Sequence, residues 1–245
     1  MSKKDYFSGH SRLYATFRPT YPDALYQFIF NHLQSRSSAW DCATGNGQVA
    51  HVLAKHFKQV HATDISQQQL DNAHQAENIL YSVQPAEKTN FPDQTFDLIT
   101  VGQAMHWFDL TQFYTEVRRV IKPDGLLAVW GYSVCSVNPT IDEFFLDFYN
   151  NVVGPYWDSA RKMVDEEYRN VPFPFDQVLT PKFSLKVEWT LEQFGGYLST
   201  WSATQKYMKA NNHDPVPEII KYLLPIWGGV KTVTFPVFLK LGKLN

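Results

Sequence analysis

The sequence predicts an α/β fold, a mostly parallel sheet with helices on both faces. Three observations carry that expectation. Between residues 39 and 132, short apolar runs alternate with segments of helical spacing, which calls for crossover connections. Phe96–Val101 is almost continuously apolar, as a strand buried on both faces should be. A first run, Ala39–Ala43, leads straight into Gly45 and Gly47 and then a helical pattern.

Each element has a local reason. Residues 8–18 read as a short helix that must stop at Arg18, because Pro19 disfavours helical geometry in the residue before it. Tyr21–Leu33 places Leu25, Phe28, Ile29 and Leu33 on one helix face. Val49, Val52, Leu53 and Phe57 continue the helical spacing after the glycines. Gln59–Asp64 is a strand ending in an acid, and Ser66 with Gln69 reads as a capping box opening the next helix. Ile79–Val83 is a third strand and Phe96–Val101 a fourth. Phe113, Val117, Val120 and Ile121 mark a helix stopped by Lys122-Pro123-Asp124-Gly125, and Leu126–Tyr132 is the fifth strand. Arg118, Arg119 and Lys122 read as a solvated face.

Beyond residue 133 the pattern changes. Residues 138–182 are rich in Phe, Tyr and Pro and read as a helical, aromatic cap inserted after the fifth strand. Leu185, Val187 and Trp189 alternate as a strand. Leu191, Phe194, Leu198 and Trp201 are helically spaced, although Gly195 and Gly196 each weaken a helix by roughly 1 kcal/mol. Pro217–Leu224 is a short helix, and Val233–Leu241 alternates as a closing strand in which Pro236 calls for an edge or a bulge. The expected organisation is one domain over 1–245: N-terminal helices and lid (1–36), a ligand-binding core (37–133), the cap (138–182) and closing strands and helices (183–245).

Composition narrows the function. Lys plus Arg is 22 against 24 Asp plus Glu, which argues against nucleic acid as the main partner. The longest apolar run, Leu126–Tyr132, is too short to span a bilayer, so no membrane role is expected. No signal-peptide pattern is visible, and two cysteines, Cys42 and Cys135, cannot staple a chain of this length. A cytoplasmic setting is the expectation. No H-E-x-x-H or Cys/His cluster suggests a metal. At 16% aromatic, the chain has enough flat side chains to wall an organic-ligand pocket.

The most informative stretch is Asp41-Cys42-Ala43-Thr44-Gly45-Asn46-Gly47-Gln48, a strand end, a glycine turn and a helix start. Ligands of open α/β sheets bind at the carboxyl ends of the strands. Two cofactors compete. Gly45–Ala50 fits G-x-G-x-x-A with Asp64 nineteen residues on, which a dinucleotide fold would show. Asp41 at the strand end opposes an incoming pyrophosphate and suits a cofactor carrying an ammonium and a sulfonium. Charge therefore favours S-adenosylmethionine over NAD(P).

Taken together the motifs resemble the class I S-adenosylmethionine-dependent methyltransferases, in particular the small-molecule branch that includes trans-aconitate methyltransferase. The resemblance rests on Tyr14–Pro22, the Asp41 glycine loop, Asp64-Ile65-Ser66, Pro85-Ala86-Glu87, Phe96–Thr100, Gln103–Asp109 and Val120–Gly125. It implies a Rossmann-like sheet of seven strands with the last antiparallel, and the pattern shows no carboxylate cluster placed to hold a metal. Asp41, Ala43, Thr44, Gly45 and Gly47 would hold the methionine part, with Ala43 standing where the family usually has glycine. Asp64 would bind ribose, Ile65 would pack on adenine, and Ala86 and Glu87 would meet its edge. Gln103 and His106 would face the sulfonium and the methyl acceptor.

Tyr14 and Arg18 share a helix face, and Arg18 could fork onto the cofactor carboxylate. His106 is a candidate general base, a hydrogen-bonding group for the acceptor, or a space filler beside Trp107. The acceptor-pocket candidates are His106, Trp107, Tyr132, Tyr149, Trp157, Arg161, Tyr197, Trp201 and Ser202. The expected reaction is in-line methyl transfer to a small organic molecule, a carboxylic acid among the candidates, leaving S-adenosylhomocysteine. The rivals are an NAD(P)-dependent oxidoreductase and a non-catalytic S-adenosylmethionine-binding protein on the same fold.

Overall fold

The structure, a computed structural model, describes residues 17–243. The body of the helix expected over 8–18, and Tyr14 with it, lies outside the described residues. Phe17 is still helical and Arg18 bends away before Pro19.

Among the described residues eight strands form one sheet: β1 (Ser38–Cys42), β2 (Gln59–Asp64), β3 (Ile79–Val83), β4 (Phe96–Gly102), β5 (Ile121–Tyr132), β6 (Asp176–Leu179), β7 (Lys182–Trp189) and β8 (Lys231–Lys243). Their order is β3-β2-β1-β4-β5-β8-β6, with β7 also paired to β8. The first five strands are mutually parallel, and β8 runs antiparallel to β5, β6 and β7. Seven strands were expected. The eighth arises because the edge position next to β8 is filled by two strands interrupted at Thr180 and Pro181, where proline supplies no N–H to the ladder.

Pro236 does not produce a bulge. The β7–β8 register runs without a shift from Lys182↔Phe238 to Trp189↔Lys231. The last β5–β8 pair is Tyr132↔Val237, and Ser133 N donates to Pro236 O at 3.0 Å as the chain turns out of β5. The missing N–H thus falls where β5 has already ended.

Among the described residues the α-helices are α1 (Asp23–Asn31), α2 (Gln48–Ala54), α3 (Gln67–Asp71), α4 (Leu110–Val120), α5 (Pro139–Asp147), α6 (Arg161–Asp165), α7 (Leu191–Ser199), α8 (Ser202–Asn211) and α9 (Val216–Trp227). Two apolar layers sandwich the sheet. Alternate β5 residues face opposite ways: Leu126, Ala128 and Trp130 pack with α1, α2, α7 and α9, while Leu127 and Val129 pack with Phe113, Val117 and Val120 of α4. Burial on both faces explains the continuously apolar β4, all of whose residues but Gly102 are buried.

Local chemistry sets several boundaries. Ser66 caps α3 by accepting from Gln69 N at 3.3 Å, but the return arm expected of a capping box is missing, since Gln69 Oε1 is buried without a partner among the described residues. The complete capping box is at α7, where Thr190 and Gln193 satisfy each other's backbone N–H. The cap over 139–165 is α5, a π-helical turn at Phe148–Val152, a 3-10 turn and α6. Residues 176–179, expected in the cap, belong to the sheet. The basic cluster is not simply solvated. Arg119 bonds Glu116 and Asp93, Arg118 donates to Pro174 O at 2.8 Å, and Lys122 pairs at 2.9 Å with buried Asp97.

Candidate functional site

β1 and β4 are neighbours whose following segments leave to different flanks, so a crevice opens at their carboxyl ends. The glycine loop lines one side. Thr44 N donates to Thr63 O at 2.9 Å and Gly47 N to Thr44 O at 3.0 Å. Ala43, Gly45 and Gly47 all take positive φ, at 55°, 57° and 79°. Alanine adopts that region at a cost of roughly 1–2 kcal/mol, so Ala43 holds the conformation a glycine would take freely. At Gly47 a Cβ would collide with the Tyr81 hydroxyl, whereas at Gly45 it would meet nothing within 4 Å. The backbone at Gly45 is therefore open to a ligand.

Asp41 lies beneath this loop rather than at its mouth. It is 1% exposed. Oδ2 accepts from Thr44 Oγ1 and from Ala50 N at 3.0 Å, and Oδ1 accepts from Thr100 Oγ1 at 2.8 Å. One carboxylate thus fastens the loop, the first turn of α2 and β4. Burial lifts its pKa to about 6 against the opposing hydrogen bonds, with a further upward push from Asp64. Its charge can act on a ligand as a field through the loop; its oxygens are engaged by protein groups.

Asp64 ends β2. Its Oδ2 accepts from Gly45 N and its Oδ1 from Ser66 N, both at 2.9 Å. Ile65 beside it is 45% exposed, an apolar face at the crevice edge. Ala86 is buried, and Glu87 Oε1 accepts from Asp109 N at 2.9 Å, tying the segment after β3 to the start of α4. An open glycine backbone, a carboxylate at the next strand end and an exposed aliphatic side chain fit the ribose and adenine of an adenosyl cofactor.

Beyond the loop, a narrow open cleft brings Arg18, Gln103, His106, Trp107, Trp157 and Arg161 together with Asp158 and Ser202. Gln103 turns out of β4 at φ 56°. Arg18 Nη1 donates to Tyr132 Oη at 2.6 Å and Nη2 to Thr200 O at 3.4 Å, and the guanidinium lies 5.5 Å from the Tyr197 ring. His106 Nδ1 is 2.9 Å from the hydroxyl of fully buried Tyr168. Burial, reinforced by Arg161, drives the His106 pKa down to about 3, so the ring is neutral near pH 7.

Arg161 is held from behind. Its Nε donates to Asp165 Oδ1 at 2.9 Å and to Tyr149 Oη at 3.1 Å, and Tyr149 donates to the same Asp165 oxygen at 2.8 Å. Tyr149 reaches this position from the π-helical turn. The guanidinium covers the Trp157 ring at 4.7 Å. Its two terminal nitrogens have no hydrogen-bond partner among the described residues.

Two pocket candidates stand behind the cleft wall. Trp201 is 4% exposed and packs on Trp157, Tyr149 and Phe145. Tyr132 meets the cleft through its bonds to Arg18 and Gln103. Asp158, Asp165, Tyr168 and Thr100 were not anticipated. Asp158 immediately follows Trp157 and its carbonyl accepts from Arg161 N at 2.8 Å. The spacing W-D-x-x-R was the available signal. Among the described residues no group of His, Cys, Asp and Glu is placed to hold a metal ion, and no helix is long and apolar enough to cross a membrane.

Sheet order and crevice together define an α/β protein of the nucleotide-cofactor type. A methyltransferase-domain family matches residues 40–129. A Dictyostelium discoideum protein assigned to the methyltransferases is 36% identical over 249 positions, covering 98% of this chain and 95% of its own. The solved structure of a protein assigned as a type II methyltransferase from Anaeromyxobacter dehalogenans overlays with a TM-score of 0.85 at 35% identity, covering 93% of this chain and 98% of that one. Haemonchus contortus phosphoethanolamine N-methyltransferase 2, bound to phosphomonomethylethanolamine and S-adenosylhomocysteine, shares the fold at a TM-score of 0.53 and 15% identity, covering 100% of this chain and 61% of its own. The chain belongs to the S-adenosylmethionine-dependent methyltransferases, and the oxidoreductase alternative falls away.

Proposed function

We propose that this enzyme methylates a small organic acid held in the cleft between the β4 end and the cap. The observation that carries this reading is Arg161: its Nε is fixed by Asp165 and Tyr149, and its terminal nitrogens are unpaired among the described residues where the cleft opens. A guanidinium presented this way matches a carboxylate.

The cofactor, when bound, supplies an activated methyl group on a sulfonium. Gly45 and Asp64 would receive its ribose side, Ile65, Ala86 and Glu87 its adenine, and the Ala43–Gly47 loop over Asp41 its methionine part. Arg18 would take its carboxylate. Orientation of the acceptor is then the main task of the chain, and good orientation contributes about 7–11 kcal/mol to such a step. Trp107 and Trp157 exclude water from the cleft. Neutral His106 serves as a hydrogen-bonding group, because a carboxylate acceptor is already ionised and needs no base.

Incubation with methyl-labelled donor and a panel of acids, amines and phenols tests the proposal. Label on acids supports it; label confined to amines or nucleic acid ends it.

A further inference from the structure

Two polar atoms at the cap side of the cleft are shut away from water and unsatisfied among the described residues: Trp157 Nε1 and Asp158 Oδ2. Both residues line the cleft. Neither is an inert core group. Asp158 keeps its other oxygen on Lys206 Nζ at 2.5 Å, so a salt-bridged carboxylate is anchored there with one oxygen left over. Trp157 is fixed by Arg161 on one side and by Tyr149 and Trp201 at ring distances of 5.3 and 5.5 Å. An indole N–H can only donate, and an ionised carboxylate can only accept. Leaving a buried donor and a buried acceptor unmade each opposes folding, unless a ligand completes them.

We infer that Trp157 and Asp158 form a second recognition pole for the methyl acceptor, one that takes a hydroxyl group. A hydroxyl is complementary to the pair, since its oxygen accepts from Trp157 Nε1 and its proton is donated to Asp158 Oδ2. With Arg161 on the same segment taking a carboxylate, the acceptor is a hydroxy-substituted carboxylic acid. The inference rests on the reading that this cleft holds the acceptor, and it narrows that acceptor by one functional group. A site built around buried polar groups rejects the analogue that cannot satisfy them.

The test is calorimetry on the full chain saturated with S-adenosylhomocysteine, using matched probes: benzoate against 3- and 4-hydroxybenzoate, and succinate against malate. At least one hydroxy acid should bind about tenfold more tightly than its parent. Trp157→Phe keeps the ring under Arg161 and removes only the N–H, so the preference should shrink to about twofold or less while affinity for S-adenosylhomocysteine stays unchanged. Asp158→Asn should weaken the preference as well. Parent and hydroxy acids binding within twofold of one another, or a preference that survives both variants, overturns the inference and leaves the carboxylate reading standing. If 3-hydroxybenzyl alcohol binds as tightly as 3-hydroxybenzoate, the hydroxyl pole stands and the carboxylate reading falls. If no probe binds while S-adenosylhomocysteine does, both fall.

Discussion

The side chain of Gln103 extends the sheet by one rung against Tyr132. Its Oε1 accepts from Tyr132 N at 2.8 Å and its Nε2 donates to Tyr132 O at 3.2 Å, just past the last backbone pair, Gly102↔Trp130. A side-chain amide here imitates a peptide. That holds Tyr132 where its hydroxyl receives Arg18, so a residue expected to face the sulfonium also sets the cleft wall.

Gln103→Ala leaves both backbone groups of Tyr132 without this partner. Loss of about 1–3 kcal/mol of stability is expected, together with weaker donor binding through the displaced Arg18. Denaturant titration and S-adenosylhomocysteine calorimetry check both. Unchanged stability would show that the rung contributes nothing.

Ala43 sits at φ 55° without a glycine's freedom. Ala43→Gly should relieve strain of roughly 1–2 kcal/mol, partly offset by greater freedom in the unfolded chain. The net expectation is a gain of up to about 1 kcal/mol, read as a higher denaturation midpoint with the same slope.

Asp41 titrates near pH 6 in the fold, above its ordinary value. A raised folded pKa means that its contribution to stability is fully present below about pH 4 and is lost as pH rises through 6. A cationic donor prefers the ionised form, so affinity for S-adenosylmethionine should fall as the pH drops below 6, by up to about tenfold at pH 5. Calorimetry from pH 5 to 8 should show this slope in the wild type and a flatter one in Asp41→Asn. A flat wild-type curve removes Asp41 from donor binding.

His106 is pushed the other way, to about 3. With a depressed folded pKa, the stability it contributes is present above about pH 6.5 and is lost as pH falls toward 3. Between pH 6 and 8 it stays neutral, so the rate profile should lack an inflection from this ring, and His106→Asn should keep the profile's shape. An inflection that disappears in that variant would instead make His106 a working base.

Arg161→Lys retains the charge and loses the planar fork. The KM for the acid acceptor should rise about tenfold or more, with donor affinity unchanged. A matching fall in donor affinity would place Arg161 at the cofactor instead.

Much of this architecture was legible because it rests on local rules. Gln59–Asp64 and Ile79–Val83 end where they were expected to, since apolar runs stop at a capped helix start and at a turn. The break at Thr180-Pro181 was hidden, because whether two segments share one edge depends on a ladder formed with distant β8. Asp41 was recognised as important, yet a strand-end acid reads the same whether it points over a loop or under it. Its direction is decided by Thr100, fifty-nine residues away. Asp158 and Asp165 escaped notice because the cap has no period to read, and two of their partners are distant in sequence: Lys206 of α8 for Asp158 and Tyr149 of the π-helical turn for Asp165.

Gly196 looked like a defect in its helix, but a Cβ there would stand 2.7 Å from the Phe17 ring. The missing side chain is a socket. Phe17 plugs into α7 one residue before Arg18 crosses to Tyr132, so the entry segment is latched to the closing half of the chain here. Any larger residue at 196 would prise that latch open, and the damage would surface at the guanidinium next door as well as in the helix that carries the change.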